Sequence, residues 1–143
     1  LGENNKGGDE VKELDFLVQL NRYINKQNLF AKSVIGVLGK EESISIMAMP
    51  GGAEKVFFDG TRDKDYQVQI NAKSKKQDDC INTLSTLFQK LENLTDLPSD
   101  NGSYDYQEIK ITSLPSLIMI DEQGFFMYEL SISATITIHK GVV

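Results

Sequence analysis

Histidine and cysteine are nearly missing from this 143-residue chain and tryptophan is missing altogether: there is one His, His139, one Cys, Cys80, and no Trp. A single thiol excludes a disulfide framework, so nothing in the sequence asks for an oxidising compartment. One His and one Cys cannot furnish an ordinary zinc set. A nucleophilic Cys–His pair would need Cys80 and His139 to meet in space, and nothing in the sequence requires that. Cys80 falls in the first turn of a predicted helix, where a thiol can be acidified, but the ordinary role of a lone helical Cys is packing. No apolar run approaches the ~20 residues that cross a bilayer. Positive charge is scarce as well, with 15 basic against 21 acidic residues and a net charge of −6. The clustered Lys and Arg of a dedicated nucleic-acid or anionic-membrane binder are therefore lacking. A negative wall would still let DNA slide past without sticking.

The remaining motifs carry little chemistry. Gly36–Lys40 ends in Gly-Lys but lacks the phosphate-loop spacing and the following Ser or Thr. Asp59, Asp63 and Asp65 crowd one segment, without the glycine and terminal glutamate of a calcium-binding loop. Asp78 and Asp79 are adjacent, which on a helix points them about 100° apart, poor geometry for a paired acid and base. Asn93-Leu-Thr95 and Asn101-Gly-Ser103 match glycosylation sequons but carry no weight without a secretion signal. No catalytic set, cofactor or metal site is expected.

What the chain does have is periodicity. Its length suits one domain. Residues 1–8, Gly- and Asn-rich and without an initiator Met, are read as a disordered or appended tail, and 9–143 as a single α+β domain. The spacing of Val11, Leu14, Leu17, Val18, Asn21 and Ile24 predicts a helix over Asp9–Gln27, with Asp9 and Glu10 at its N-terminus. A short strand is expected around Ser33–Val37. Ser43–Met49 alternates as a strand, with Ile44, Ile46 and Ala48 on one side, and stops at Pro50, Gly51 and Gly52. Lys55–Phe58 and Asp65–Lys73 read as a hairpin, connected from Asp59 and Gly60 through Thr61, Arg62, Asp63 and Lys64. Gln67, Gln69 and Asn71 give the second strand an uncharged polar face. Ser74 and Gln77 resemble a capping box for a helix over Lys75–Asn93, with Ile81, Leu84, Phe88 and Leu91 on its apolar stripe.

The rest reads as β. Tyr104–Ser113 shifts its apolar register between Tyr106 and Ile109, as a bulge would. Leu117–Ile120 is a short strand and Asp121–Gly124 a turn. From Phe126 to Ile138 every even position is apolar. As a straight strand this last segment reaches roughly 45–50 Å, longer than a compact domain of this size is wide. It must therefore curve within its own sheet or project into a neighbour.

The segment MPGGAEKVFFDGTRDKDYQVQINAKSKKQDDCINTL, Met49 to Leu84, resembles the tail terminator proteins of long-tailed phages of Gram-positive bacteria, a group also known as minor capsid proteins. The resemblance rests on the Pro-Gly-Gly turn, the Phe-Asp-Gly-Thr hairpin, the strand ending in Lys73-Ser74-Lys75 and the helix entered through Gln77. Leu114-Pro115 and the closing GFFMYELSISATITI extend it over about Asp9–His139. It implies an α+β fold: a mixed or antiparallel sheet with two main helices packed on it and a long C-terminal strand. It further implies a self-assembled ring, usually a hexamer, that caps the head-proximal end of the tail tube, stops its growth and meets a head-completion protein. Such a protein belongs to the virion tail or neck and assembles in the bacterial host cytoplasm. It needs no enzyme chemistry, cofactor, membrane or sequence-specific nucleic acid.

The interface residues expected are Gly51 and Gly52 at the turn and Asp59, Gly60, Thr61 and Arg62 at the hairpin, together with the final strand. Two rival readings remain open at this level: a head–tail connector of the neck, and a small ligand-binding α+β domain, which would need an apolar pocket with convergent polar groups.

Overall fold

The computed structural model describes residues 12–143. In chain order its elements are α1 (Phe16–Asn25), β1 (Ser33–Ile35), β2 (Ser43–Met49), β3 (Glu54–Val56), β4 (Arg62–Ser74), α2 (Gln77–Glu92), β5 (Tyr104–Ile120) and β6 (Phe126–Ile138). They form an α+β fold around one six-stranded sheet of order β1-β2-β4-β6-β5, with β3 also paired to β4. Only β1–β2 is parallel, which makes the sheet mixed.

Period-two alternation decides which face is buried. Ile44 and Ile46 of β2, Val68, Ile70 and Ala72 of β4, and Leu130, Ile132, Ala134 and Ile136 of β6 are buried in register with one another. Against them pack Phe16, Leu20 and Ile24 of α1 and Cys80, Leu84, Leu87 and Leu91 of α2. The opposite face is a polar ladder. Gln67 donates to Ser133 at 2.9 Å, Thr135 to Asp65 at 2.9 Å and Thr137 to Asp63 at 2.8 Å, and Gln69 donates to Glu129. Gln67 and Gln69 of the polar face expected for β4 are thus paired within their own sheet, and Asp63 and Asp65 of the crowded aspartates accept threonine hydroxyls of β6.

Both helices start later than periodicity predicts. Asp9 and Glu10 lie outside the described residues. Lys12–Leu14 are held extended against the C-terminal segment, with Leu14 N–H donating to Val143 O at 2.9 Å and Val143 N–H to Lys12 O at 3.0 Å. That pairing keeps the chain out of helix until Phe16. The buried stripe of α1 is Phe16, Leu20 and Ile24, while Val18, expected on it, is 40% exposed. In α2 the capping box does not form. The Glu42 carboxylate takes the Ser74 hydroxyl and the Lys75 N–H, so the helix begins at Gln77, whose side chain reaches the Tyr128 hydroxyl instead of folding back. Cys80 and Leu87 replace Ile81 and Phe88 on the deepest part of its stripe.

β5 is one strand of 17 residues, not two. Register shifts occur at four places, including Tyr106/Glu108, where a bulge was expected. They carry the strand past Leu114 and Pro115 without ending it. β6 pairs with β4 on one side and β5 on the other along its length. It does not project into a neighbour, and it has no free edge to offer one.

Candidate interaction surface

The expected site residues come together on one lateral edge of the sheet. β4 pairs with β6 along one side from Arg62 to Ser74, so β2 and β3 share its other side, with β3 opposite Arg62–Lys64. Gly51 and Gly52 lead into β3. Asp59, Gly60 and Thr61 leave it. The two groups are about 10 Å apart along β4, three residues at strand spacing.

Each residue has a definable role. Gly52 has φ +87° and lies so close to β4 that an added Cβ would stand 2.0 Å from Asp65 O. Gly51 has φ +98° with open space around it, and its carbonyl accepts from Lys64 Nζ at 3.0 Å. The connection between β3 and β4 is shorter than expected. Gly60 N–H donates to Phe57 O at 3.0 Å and Phe57 N–H to Thr61 O at 2.9 Å, which closes a tight turn with Phe58 and Asp59 at its tip. The Asp59 carboxylate accepts the Thr61 N–H at 3.0 Å and hydroxyl at 2.8 Å, and these bonds hold it below the ordinary carboxylate range. Arg62 is not a loop residue. It opens β4, donates to Val142 O at 2.9 Å and lies 3.6 Å from Glu54, so its guanidinium is engaged in tying the hairpin to the C-terminal segment.

Sequence reasoning missed the feature that dominates this edge. Val56 is 66% exposed and Phe58 fully exposed at the turn tip, with Phe57 half-exposed beside it. Leaving one such Phe in water forgoes roughly 1.5–3 kcal/mol of burial. The signal was legible: three consecutive apolar residues on a two-stranded ribbon cannot all face one core.

A second exposed apolar segment lies across the sheet. β5 forms the far edge, and from Leu114 to Ile120 its Leu, Ile and Met side chains are exposed on both faces. The contrast with the other edge is chemical. At β1, Ser33 N–H donates to Asn25 Oδ1 at 2.7 Å, and Ser33 O accepts from Asn25 and Asn21 at 3.0 and 3.2 Å. Helix α1 therefore plugs that edge, while the outer half of β5 carries no charge and is protected only by Pro115 and its register shifts. Beside β5, a groove of about 470 Å³ runs between it and the C-terminal half of α2, lined by Phe88, Ile109, Ile111 and Leu114 together with Glu92, Thr112 and Ser113.

Neither of the lone reactive residues adds chemistry here. Burial, with Glu42 and Asp79 nearby, pushes the Cys80 thiol up to about 11, the reverse of the acidified thiol a helix N-terminus can produce. The His139 ring lies 2.6 Å from Gly102 O and 2.9 Å from the Asp105 carboxylate. The arrangement is thus two exposed apolar segments on opposite lateral edges of one sheet, a candidate for contact with other chains.

A family model described as bacteriophage tail terminator protein matches residues 23–138. The chain belongs to this family. No curated protein matches it. A tail terminator is a structural component of the virion that meets tail and head parts, and both exposed segments lie within the matched residues. No helix among the terminator's described residues is long and apolar enough to cross a membrane.

Proposed function

We propose that the chain, acting as one domain over residues 9–143, assembles in the host cytoplasm into a ring, with six copies as the expected number. The ring caps the head-proximal end of the tail tube, stops the tube protein from adding further, and presents its other surface to a head-completion protein. The observation that carries this reading is the family match over residues 23–138. Two features support it. A ring closes through a heterologous contact between two unlike patches, and this terminator carries different apolar surfaces on its two lateral edges, Val56–Phe58 and Leu114–Ile120. Exposed strand edges also suit such contacts, because backbone hydrogen bonds can be completed across chains.

Deleting the gene in its phage and measuring tails by electron microscopy tests the reading. Overlong tubes beside unjoined, DNA-filled heads are expected. Tails of normal length that stay unattached would instead place the protein in the neck.

A further inference from the structure

We infer that copies of this chain join through a knob and a groove, with the Phe57–Phe58 tip of one copy seated in the α2–β5 groove of the next. This rests on the ring reading and names the contact that closes the ring. The knob is the tight turn after β3, with Phe58 fully exposed and Phe57 half-exposed. It is stiff before any contact forms, because two backbone hydrogen bonds and the Asp59–Thr61 pair fix its shape. A preorganised aromatic anchor loses little freedom on docking.

The groove is the apolar hollow at Phe88, Ile109, Ile111 and Leu114. Knob and groove cannot meet within one copy, because β4, β6 and β5 lie between β3 and the groove. They occupy opposite lateral edges, so satisfying both requires a head-to-tail neighbour, the arrangement that closes into a ring when its rotation permits.

Charge selects a second copy as the occupant. Lys55 stands 5.3 Å over the Phe57 ring and Asp59 sits at the tip, so the knob carries one cation and one anion beside its aromatics. On its α2 side the groove carries the complement of Lys55 in Glu92, one turn beyond Phe88. Neither Lys55 nor Glu92 has an ion-pair partner among the described residues. Seating the knob brings Lys55 toward Glu92.

The test is a disulfide trap in the full chain, carried out on purified protein and on tails from a lysate. The double variant F58C/L114C is oxidised and run without reductant beside each single variant, with buried Cys80 silent in all three. A ladder of covalent dimers and higher species, found only with the double variant, is expected. Phe58→Ser, at a position with no packing to lose, is expected to weaken self-association at least tenfold. Lys55→Glu and Glu92→Lys should each weaken it, and their combination should restore it. No ladder in either preparation would overturn the proposal, and a crosslink from L114C to the tube protein instead would assign the groove to that partner. A ladder together with tails of normal length in the deletion strain would keep the contact and remove the terminator reading. Overlong tails without a ladder would do the reverse.

Discussion

The carboxylate of Asp15 accepts the hydroxyl of Ser103 at 2.9 Å across 88 residues of sequence. The same carboxylate takes the Ser99 hydroxyl at 2.6 Å and the backbone N–H groups of Asp100 and Asn101 at 2.8 and 3.3 Å. Asp15 therefore fastens the start of α1 to the loop that launches β5. Replacing it with Ala should cost about 1–3 kcal/mol, because it removes the shared acceptor of these hydroxyl and backbone donors. Partial burial works against its charge, but the hydrogen bonds prevail and hold its pKa below the ordinary value. The folded state binds this proton more weakly than the unfolded chain, so the stabilisation is complete above the unfolded value near 3.9 and fades as pH falls through the folded one. Urea midpoints should show the wild-type advantage over Asp15→Ala at pH 6 and its loss in strong acid. An advantage independent of pH would contradict the role assigned to the ionised carboxylate.

The two glycines before β3 should respond differently to one added methyl. At Gly52 the Cβ would stand 2.0 Å from Asp65 O in a positive-φ backbone. Gly52→Ala should therefore cost about 3 kcal/mol or more as β3 is pushed off β4. At Gly51 the conformation is also left-handed but the space is open, so Gly51→Ala should cost about 1–2 kcal/mol from backbone strain alone. Thermal melts of the two variants should separate by several degrees. Equal losses would mean that the hairpin shifts to accommodate the methyl.

Ser45 is fully buried in β2 and its hydroxyl has no hydrogen-bond partner. A buried unpaired hydroxyl is a cost to the fold. Ser45→Ala should leave stability unchanged or raise it by about 1 kcal/mol, an increase of about 2–4 °C in Tm for a domain of this size. A loss beyond 1 kcal/mol would show that the hydroxyl is satisfied by buried water.

The outer half of β5 should tolerate charge in the isolated protein and fail in the phage. Leu117 is 46% exposed and Ile118 52%, so Leu117→Lys and Ile118→Lys should change stability by less than about 0.5 kcal/mol. In the phage the same substitutions should lower infectious titre at least tenfold by disrupting docking at this edge. A wild-type titre would remove Leu114–Ile120 from the working surface.

What could be read from the sequence was what repeats. Even-numbered apolar residues from Phe126 to Ile138 define β6 because a strand has period two, and its residues fall in register with Val68, Ile70 and Ala72 as alternation demands. Helix boundaries were not legible, because partners far along the chain set them: Glu42 reaches Lys75 across 33 residues, and Val143 holds Leu14. β5 was misread as two strands because Pro115 resembles a break. On an edge strand its missing N–H faces no ladder partner, so the strand continues past it. At the interaction surface the turn glycines were legible from composition, whereas Arg62 was misplaced because a two-ended tether to Glu54 and Val142 has no local signature. The groove could not be anticipated, since it arises only when Phe88 of α2 lies beside Ile109 of β5.

β6 is the last of the described strands in the chain and yet occupies a central place in the sheet, paired on both sides. A nascent terminator therefore holds two unconnected pieces, the β1–β4 half and β5, until translation has passed Ile138. Long-range pairing of this kind forms slowly. Chains cut short before Phe126 lack the strand that joins β4 to β5 and so cannot hold the two lateral edges on one sheet. The central place of one late strand thus makes formation of the whole sheet wait on the synthesis of residues through Ile138.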